Sequence, residues 1–206
     1  IVRKEISRVF RIWTQTLVPP IITTSLYFLI FGNFIGGRIG KFGDISYIDF
    51  IVPGLIMMTI INNAYSQTVF AVFSAKFQKN IEEILISPLK NSVVLLGQVS
   101  GGIVRAAITG TLVMGVAMFF TDLHFHSPFL IIVTMILTSI LFSLGGFVNA
   151  VYARTFDEVS IVPTFILTPL TYLGGVFYSI EVLPEFWQKV SLLNPILYLV
   201  NMFRYG

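Results

Sequence analysis

The side chains that could do chemistry are few, and most sit inside apolar sequence. Thr59, Asn62, Asn63 and Ser66 recur at i, i+3, i+4 and i+7, which places them on one stripe of a helix. Two adjacent amides in an apolar helix must face protein or water, because hydrocarbon offers them no partner. The stripe is therefore a candidate lining for a solute path. The plainer use is interhelical hydrogen bonding, at about 0.6 kcal/mol per bond. Thr168, Thr171 and Tyr172, with Thr164 and Gly175, repeat the idea further along. Threonine also bonds its own helix backbone, so this second set is the weaker signal. Arg105, after Gly101 and Gly102, is the one charge well inside an apolar stretch. An intramembrane charge is costly and should face a bundle interior or snorkel to an edge. It lies about 18 Å along a helix counted from Val93 at about 1.5 Å per residue. Gly97 and Gly101 form a G-x-x-x-G pair beside it, which permits close helix approach.

Other constellations are weaker. His124 and His126 flank Phe125 near Asp122, but no third ligand is in view, and zinc needs more. GGRIGKF at 36–42 has a Gly-Lys pair, yet Ile35 and Phe42 stand where a phosphate loop needs Gly and Ser/Thr. Asp157 and Glu158 open a helix and read as its cap. The chain has no Cys, which removes disulfides, thiolate metal sites and cysteine nucleophiles. No Asp or Glu lies mid-stretch, so a stand-alone ion-coupled carrier or channel is poorly supported. A membrane-embedded enzyme would need a convergent acid-base or metal cluster, and none is visible. The small net charge of +3 is dispersed and does not read as a nucleic-acid patch.

The elements that must position these groups are membrane spans. The chain is 55% hydrophobic and 11% charged, against about 25% charged in soluble domains. Apolar stretches at 17–37, 50–73, 93–120, 129–151 and 159–180 each exceed the ~20 residues a helix needs to cross a bilayer. Five spans are expected in one all-α transmembrane domain over 1–206. Lys and Arg favour the cytoplasmic side. Eight of them fall on the side of the N-terminus and the loops near 76–90 and 154; four fall on the other. The N-terminus is expected inside. Residues 181–206 are then external, and 181–204 reads as an interfacial or re-entrant segment. The chain begins at Ile1 and stops at Gly206 in an aromatic run, so a sixth span is expected to follow.

Two amphipathic segments lie outside the spans. In 1–15, Val2, Ile6, Val9 and Trp13 share a face, with Lys4, Arg8 and Arg11 elsewhere. This reads equally as a helix on the inner surface or as an extension of the first span. In 77–88, Phe77, Ile81, Ile84 and Leu85 recur at helical spacing, Lys79, Glu82 and Glu83 point elsewhere, and Pro88 stops the helix. Its mixed charge suits a partner's groove better than lipid headgroups, which favour Lys and Arg alone.

The blocks FIVPGLIMM at 50–58, KFQKNIEEILISPLKNSVVLLG at 76–97, LTPLTYLGGVFYSIEVLP at 167–184 and LLNPILYLVNMFRYG at 192–206 resemble, in order and spacing, the ABC-2 type permease family. The resemblance implies a type V-like bundle of six spans and a bacterial cytoplasmic (inner) membrane location. It implies pairing with a second copy and with two separate ATPase chains, which would hold ATP and magnesium. No cofactor is expected on this chain. It also implies that Phe77, Ile81, Glu82, Glu83, Ile84, Leu85 and Pro88 belong to the coupling helix that docks on the ATPase. The expected activity is export of an amphipathic, lipid-like, polysaccharide or drug-like cargo.

Overall fold

The computed structural model describes residues 2–11, 13–35, 41–42, 45–121, 123 and 125–206; the side chains of 4, 6, 32–35, 41–42, 45 and 83–85 lie outside that description. Helix α1 is Val2–Arg11. Helix α2, Trp13–Tyr27, widens into a π turn over Phe28–Ile35. Strands β1 (Lys41–Phe42) and β2 (Ile45–Ser46) pair antiparallel. Then come α3 (Tyr47–Phe77), α4 (Asn80–Ile86), α5 (Asn91–Ala117) and α6 (Pro128–Tyr152). Helix α7 (Phe156–Val162) passes through a π turn into α8 (Thr168–Tyr172), and α9 (Glu185–Leu192) and α10 (Pro195–Tyr205) follow.

Four helices among the described residues are long and apolar enough to cross a membrane: Trp13–Phe31, Tyr47–Phe77, Asn91–Ala117 and Pro128–Tyr152. They match the first four expected spans, each with shifted ends. The fifth is shorter than expected. Its helix begins at Phe156 and ends at Tyr172 rather than continuing to 180. The cause is local: Gly175 adopts φ +69°, a left-handed conformation that glycine takes at little cost and that stops helices.

Helix α3 is the axis of the bundle. It packs along its length against α5 and α6, and it is buried on nearly every face. Close approach depends on glycines. A methyl on Gly102 would meet Ser143 Oγ at 2.2 Å and Ala64 O at 2.8 Å; one on Gly146 would sit 2.6 Å from Tyr65 O. Without a hydrophobic drive between helices in lipid, such contacts are what hold spans together. At one end, Lys76 Nζ donates to the carbonyls of Val151 and Ala153, both at 2.7 Å, and caps the last turn of α6. Beside it Phe156 packs edge-on to Phe73 at 4.8 Å and against Phe77 at 5.2 Å. At the other end, α10 folds back onto α3 and α6. Arg204 lies 3.9 Å above the Phe50 ring and donates to Phe50 O and Gly175 O. Gly206 O accepts from the amides of His126 and Ser127. The segment expected as an external excursion is thus two short helices seated on one end of the bundle.

Candidate functional site

The mid-helix charge and the polar stripe form one site. Arg105 lies halfway along α5, and Asn63 halfway along α3. Arg105 Nε donates to Asn63 Oδ1 and Nη1 to Gln67 Oε1, both at 3.0 Å. Both acceptors are buried, at 7% and 5% exposure, and both are neutral. Among the described residues no carboxylate lies within 4.0 Å of Arg105. Glu5 of α1 packs over Gly101, one turn away on the same face of α5, but its ion pair is with Arg8 at 3.6 Å. The positive charge is therefore hydrogen-bonded to neutral amides, with no described carboxylate in direct contact.

Arg105 borders a groove of about 290 Å³ between α2 and α3. Its walls are Gln15, Pro19, Pro20, Thr23, Thr24 and Tyr27 from α2, and Leu55, Met58, Thr59, Asn62 and Asn63 from α3. Thr24 and Thr59 touch hydroxyl to hydroxyl at 3.4 Å, which fixes the register of the two antiparallel helices. The amide groups of Asn62 and Asn63 donate to Met58 O and Thr59 O, and Thr59 donates to Leu55 O. Those bonds use one N–H of each amide within α3 and leave the amide oxygens for other work; Asn63 spends its oxygen on Arg105.

The expected stripe is partly assembled. Thr59, Asn62 and Asn63 line the groove; half-buried Ser66 does not. Gln67 takes its place in the network. The signal was present, since Asn63 and Gln67 are i, i+4. Gln15, Thr23 and Thr24, from the first span, were also missed. The second expected stripe does not join this groove. Thr168 is exposed and bonds Pro163 O, while Thr171 is buried and bonds Leu167 O. Both hydroxyls satisfy their own helix. Exposed Tyr172 meets Phe177 at 5.7 Å, which in turn meets Tyr27, a groove residue, at 6.1 Å. Of the G-x-x-x-G pair, Gly101 packs closely on α1: Glu5 Cβ would lie 3.0 Å from a methyl there. Val9, also of α1, is fully buried, whereas Val2 and Trp13 of the expected apolar face are exposed.

At the basic end, the loop helix is shorter than expected. Phe77 is the last residue of α3, not part of the loop helix, and Lys79 at φ 60° makes the break before α4. Ile81 is half-buried against the core, Glu82 and Pro88 are exposed, and the side chains of Glu83, Ile84 and Leu85 lie outside the described residues. Ile86, not singled out in the sequence, is 84% exposed, and Phe77 is 66% exposed.

The remaining candidates have structural roles or go undescribed. Thr155 Oγ1 accepts from Glu158 N, and Glu158 Oε2 accepts from Arg154 N at 2.7 Å, a reciprocal cap at the start of α7. His126 packs on Tyr205, and its partners His124 and Asp122 lie outside the described residues, as does 36–40. No group of three metal-ligating residues occurs among the described residues. In α10, burial lowers the Arg204 pKa to about 10, which leaves it cationic at neutral pH.

Comparison with known proteins gives this geometry a context. The profile of the ABC-2 type transporter family matches residues 1–206. Inner membrane transport permease YadH of Escherichia coli is 56% identical over 203 residues, covering 98% of this chain and 79% of that protein. Nodulation protein J of Sinorhizobium fredii is 25% identical over 204 residues, covering 96% of this chain and 77% of that protein. Nodulation protein J of Rhizobium leguminosarum bv. viciae is 23% identical over 180 residues, at 87% and 70%.

Proposed function

This chain belongs to the ABC-2 type transporter family, and from that membership we propose that it is the permease subunit of an ATP-driven exporter. It is a multi-pass protein of the cytoplasmic membrane. The family is one of transport permeases rather than enzymes, and it implies an ATPase partner. On this reading ATP and magnesium sit on that partner, the permease works as a pair of identical subunits, and the N-terminus faces the cytoplasm. Nucleotide shifts the spans between inward- and outward-open states.

One observation supports the reading most. Phe77 and Ile86 are exposed apolar residues that bracket α4 beyond the end of a spanning helix, at the end of the bundle that carries Lys76 and Lys79. Apolar side chains presented there suit the groove of a soluble partner. Helix α4 connects directly to α3, the axis of the bundle, so a push on α4 would reach the groove walls.

The test is purification from bacterial membranes with a candidate ATPase subunit co-expressed. The expected result is a stable complex whose ATP hydrolysis rises when cargo candidates are added. Ion-gradient-driven transport by this chain in vesicles without any ATPase would refute the reading.

A further inference from the structure

The groove beside Arg105 has chemistry beyond that of a generic path. The guanidinium carries five N–H donors. Asn63 and Gln67 accept one from Nε and one from Nη1. Among the described residues, Nη2 has no acceptor. A cation at mid-helix, held rigid by two neutral amides and short of partners, costs free energy unless something negative arrives. A carboxylate at position 63 or 67 would have neutralised it. The sequence has amides there instead, which hold the side chain in place and preserve its charge.

The two ends of the groove differ. Thr24 meets Thr59, and α2 and α3 run antiparallel, so Pro20 lies level with Asn63 and Tyr27 level with Leu55–Met58. The half near Arg105 is polar, with Gln15, Asn62 and Asn63. The half near Tyr27 adds aromatic and aliphatic side chains to the threonines Thr23, Thr24 and Thr59. From Gln15 to Tyr27 the groove follows α2 for about 18 Å at about 1.5 Å per residue. That is a charged socket joined to an apolar trough.

We propose that this groove binds an amphiphile with an anionic phosphate or carboxylate head, the head held by Arg105 and the tail lying along Leu55, Met58 and Tyr27. Arg suits this role because its planar donors match an oxyanion. The charge would also reject cationic cargo at the same point. The inference rests on the permease reading and narrows its cargo to acidic amphiphiles.

The test uses the complete permease–ATPase complex in nanodiscs of neutral phosphatidylcholine, with radiolabelled dodecyl phosphate as probe. Wild type should bind it saturably, and dodecyl maltoside should not displace it. Inorganic phosphate at equal concentration should not displace it either. Arg105→Lys keeps the charge but loses the planar fork, so it should retain part of the binding and bind better than Arg105→Gln. Arg105→Gln should weaken it by about tenfold or more, the scale of a lost charge-assisted contact. Asn63→Asp is the decisive variant. It is isosteric, keeps an oxygen for Arg105 Nε and supplies the missing negative charge at the cost of the bond to Thr59 O, so at matched membrane yield and ATPase retention it should lose about as much binding. Retention of the ATPase subunit by each variant keeps the permease reading separate from the ligand result. Non-saturable wild-type binding, or full binding by Asn63→Asp, would overturn the proposal. Equal displacement by inorganic phosphate would overturn it too, by showing a site for a free anion.

Discussion

Lys76 Nζ lies 2.7 Å from Val151 O, so the last turn of α3 caps the last turn of α6. A second bond of the same length to Ala153 O closes the clamp. Lys76→Met keeps the aliphatic stem and removes both bonds. We expect a loss toward the low end of the about 1.5–3 kcal/mol typical of hydrogen bonds to charged groups, because one of the two bonds is exposed. The check is a lower melting temperature in detergent, with partial recovery in Lys76→Arg.

Close packing makes an equally sharp prediction at Gly54. A methyl there would fall 2.6 Å from Val176 O and 2.9 Å from Val176 Cα, both backbone atoms that cannot swing away. Gly54→Ala should destabilise the bundle by about 1–3 kcal/mol through overpacking. Gly115→Ala is the control, since nothing lies within 4 Å of the added carbon, and it should be neutral or slightly stabilising. Equal melting temperatures for the two variants would refute the packing described here.

The polar stripe now separates into two roles. Asn63→Leu removes an acceptor of Arg105 inside the bundle, so folding yield should fall. Asn62 makes its only described bond to Met58 O of its own helix and faces the groove. Asn62→Leu should therefore assemble normally and alter transport. The check is membrane yield against cargo-stimulated ATP hydrolysis for each single variant.

Much of this was legible in the sequence, and the misses have physical causes. Spans one to four follow from length and hydropathy alone. The fifth was overextended because 173–180 is as apolar as the helix before it, and only the backbone of Gly175 ends it. Asn62 and Asn63 were recognisable because amides are conspicuous in an apolar run. That Asn63 meets Arg105 was not recognisable, because the contact joins residues 42 apart and depends on the register of α3 against α5. The threonines of α7–α8 misled because their hydroxyls satisfy their own helix. The sequence pattern places Phe77 in the loop helix because helical spacing runs on through the break at Lys79, whose left-handed backbone leaves no mark in it.

Orientation is open to a clean test, because the chain has no cysteine of its own. Asn80→Cys should resist a membrane-impermeant thiol reagent in intact cells and react after the membrane is opened. Phe125→Cys, exposed in the loop between α5 and α6, should react from outside at once. The reverse pattern would invert the topology.

The central claim is that this permease receives ATP-derived work through α4. Ile86→Asp puts a carboxylate at the most exposed apolar position among the described side chains of that helix, where burial against a partner would cost several kcal/mol. The direct measurement is ATPase copurification and cargo-stimulated hydrolysis for wild type, Ile86→Asp, Leu85→Asp and Lys79→Gln. The account predicts normal membrane insertion for all four, lost or uncoupled ATPase for the two Asp variants, and near wild-type behaviour for Lys79→Gln, since an exposed charge contributes only about 0–1 kcal/mol. Full ATPase binding and full stimulated hydrolysis in both Asp variants would contradict it.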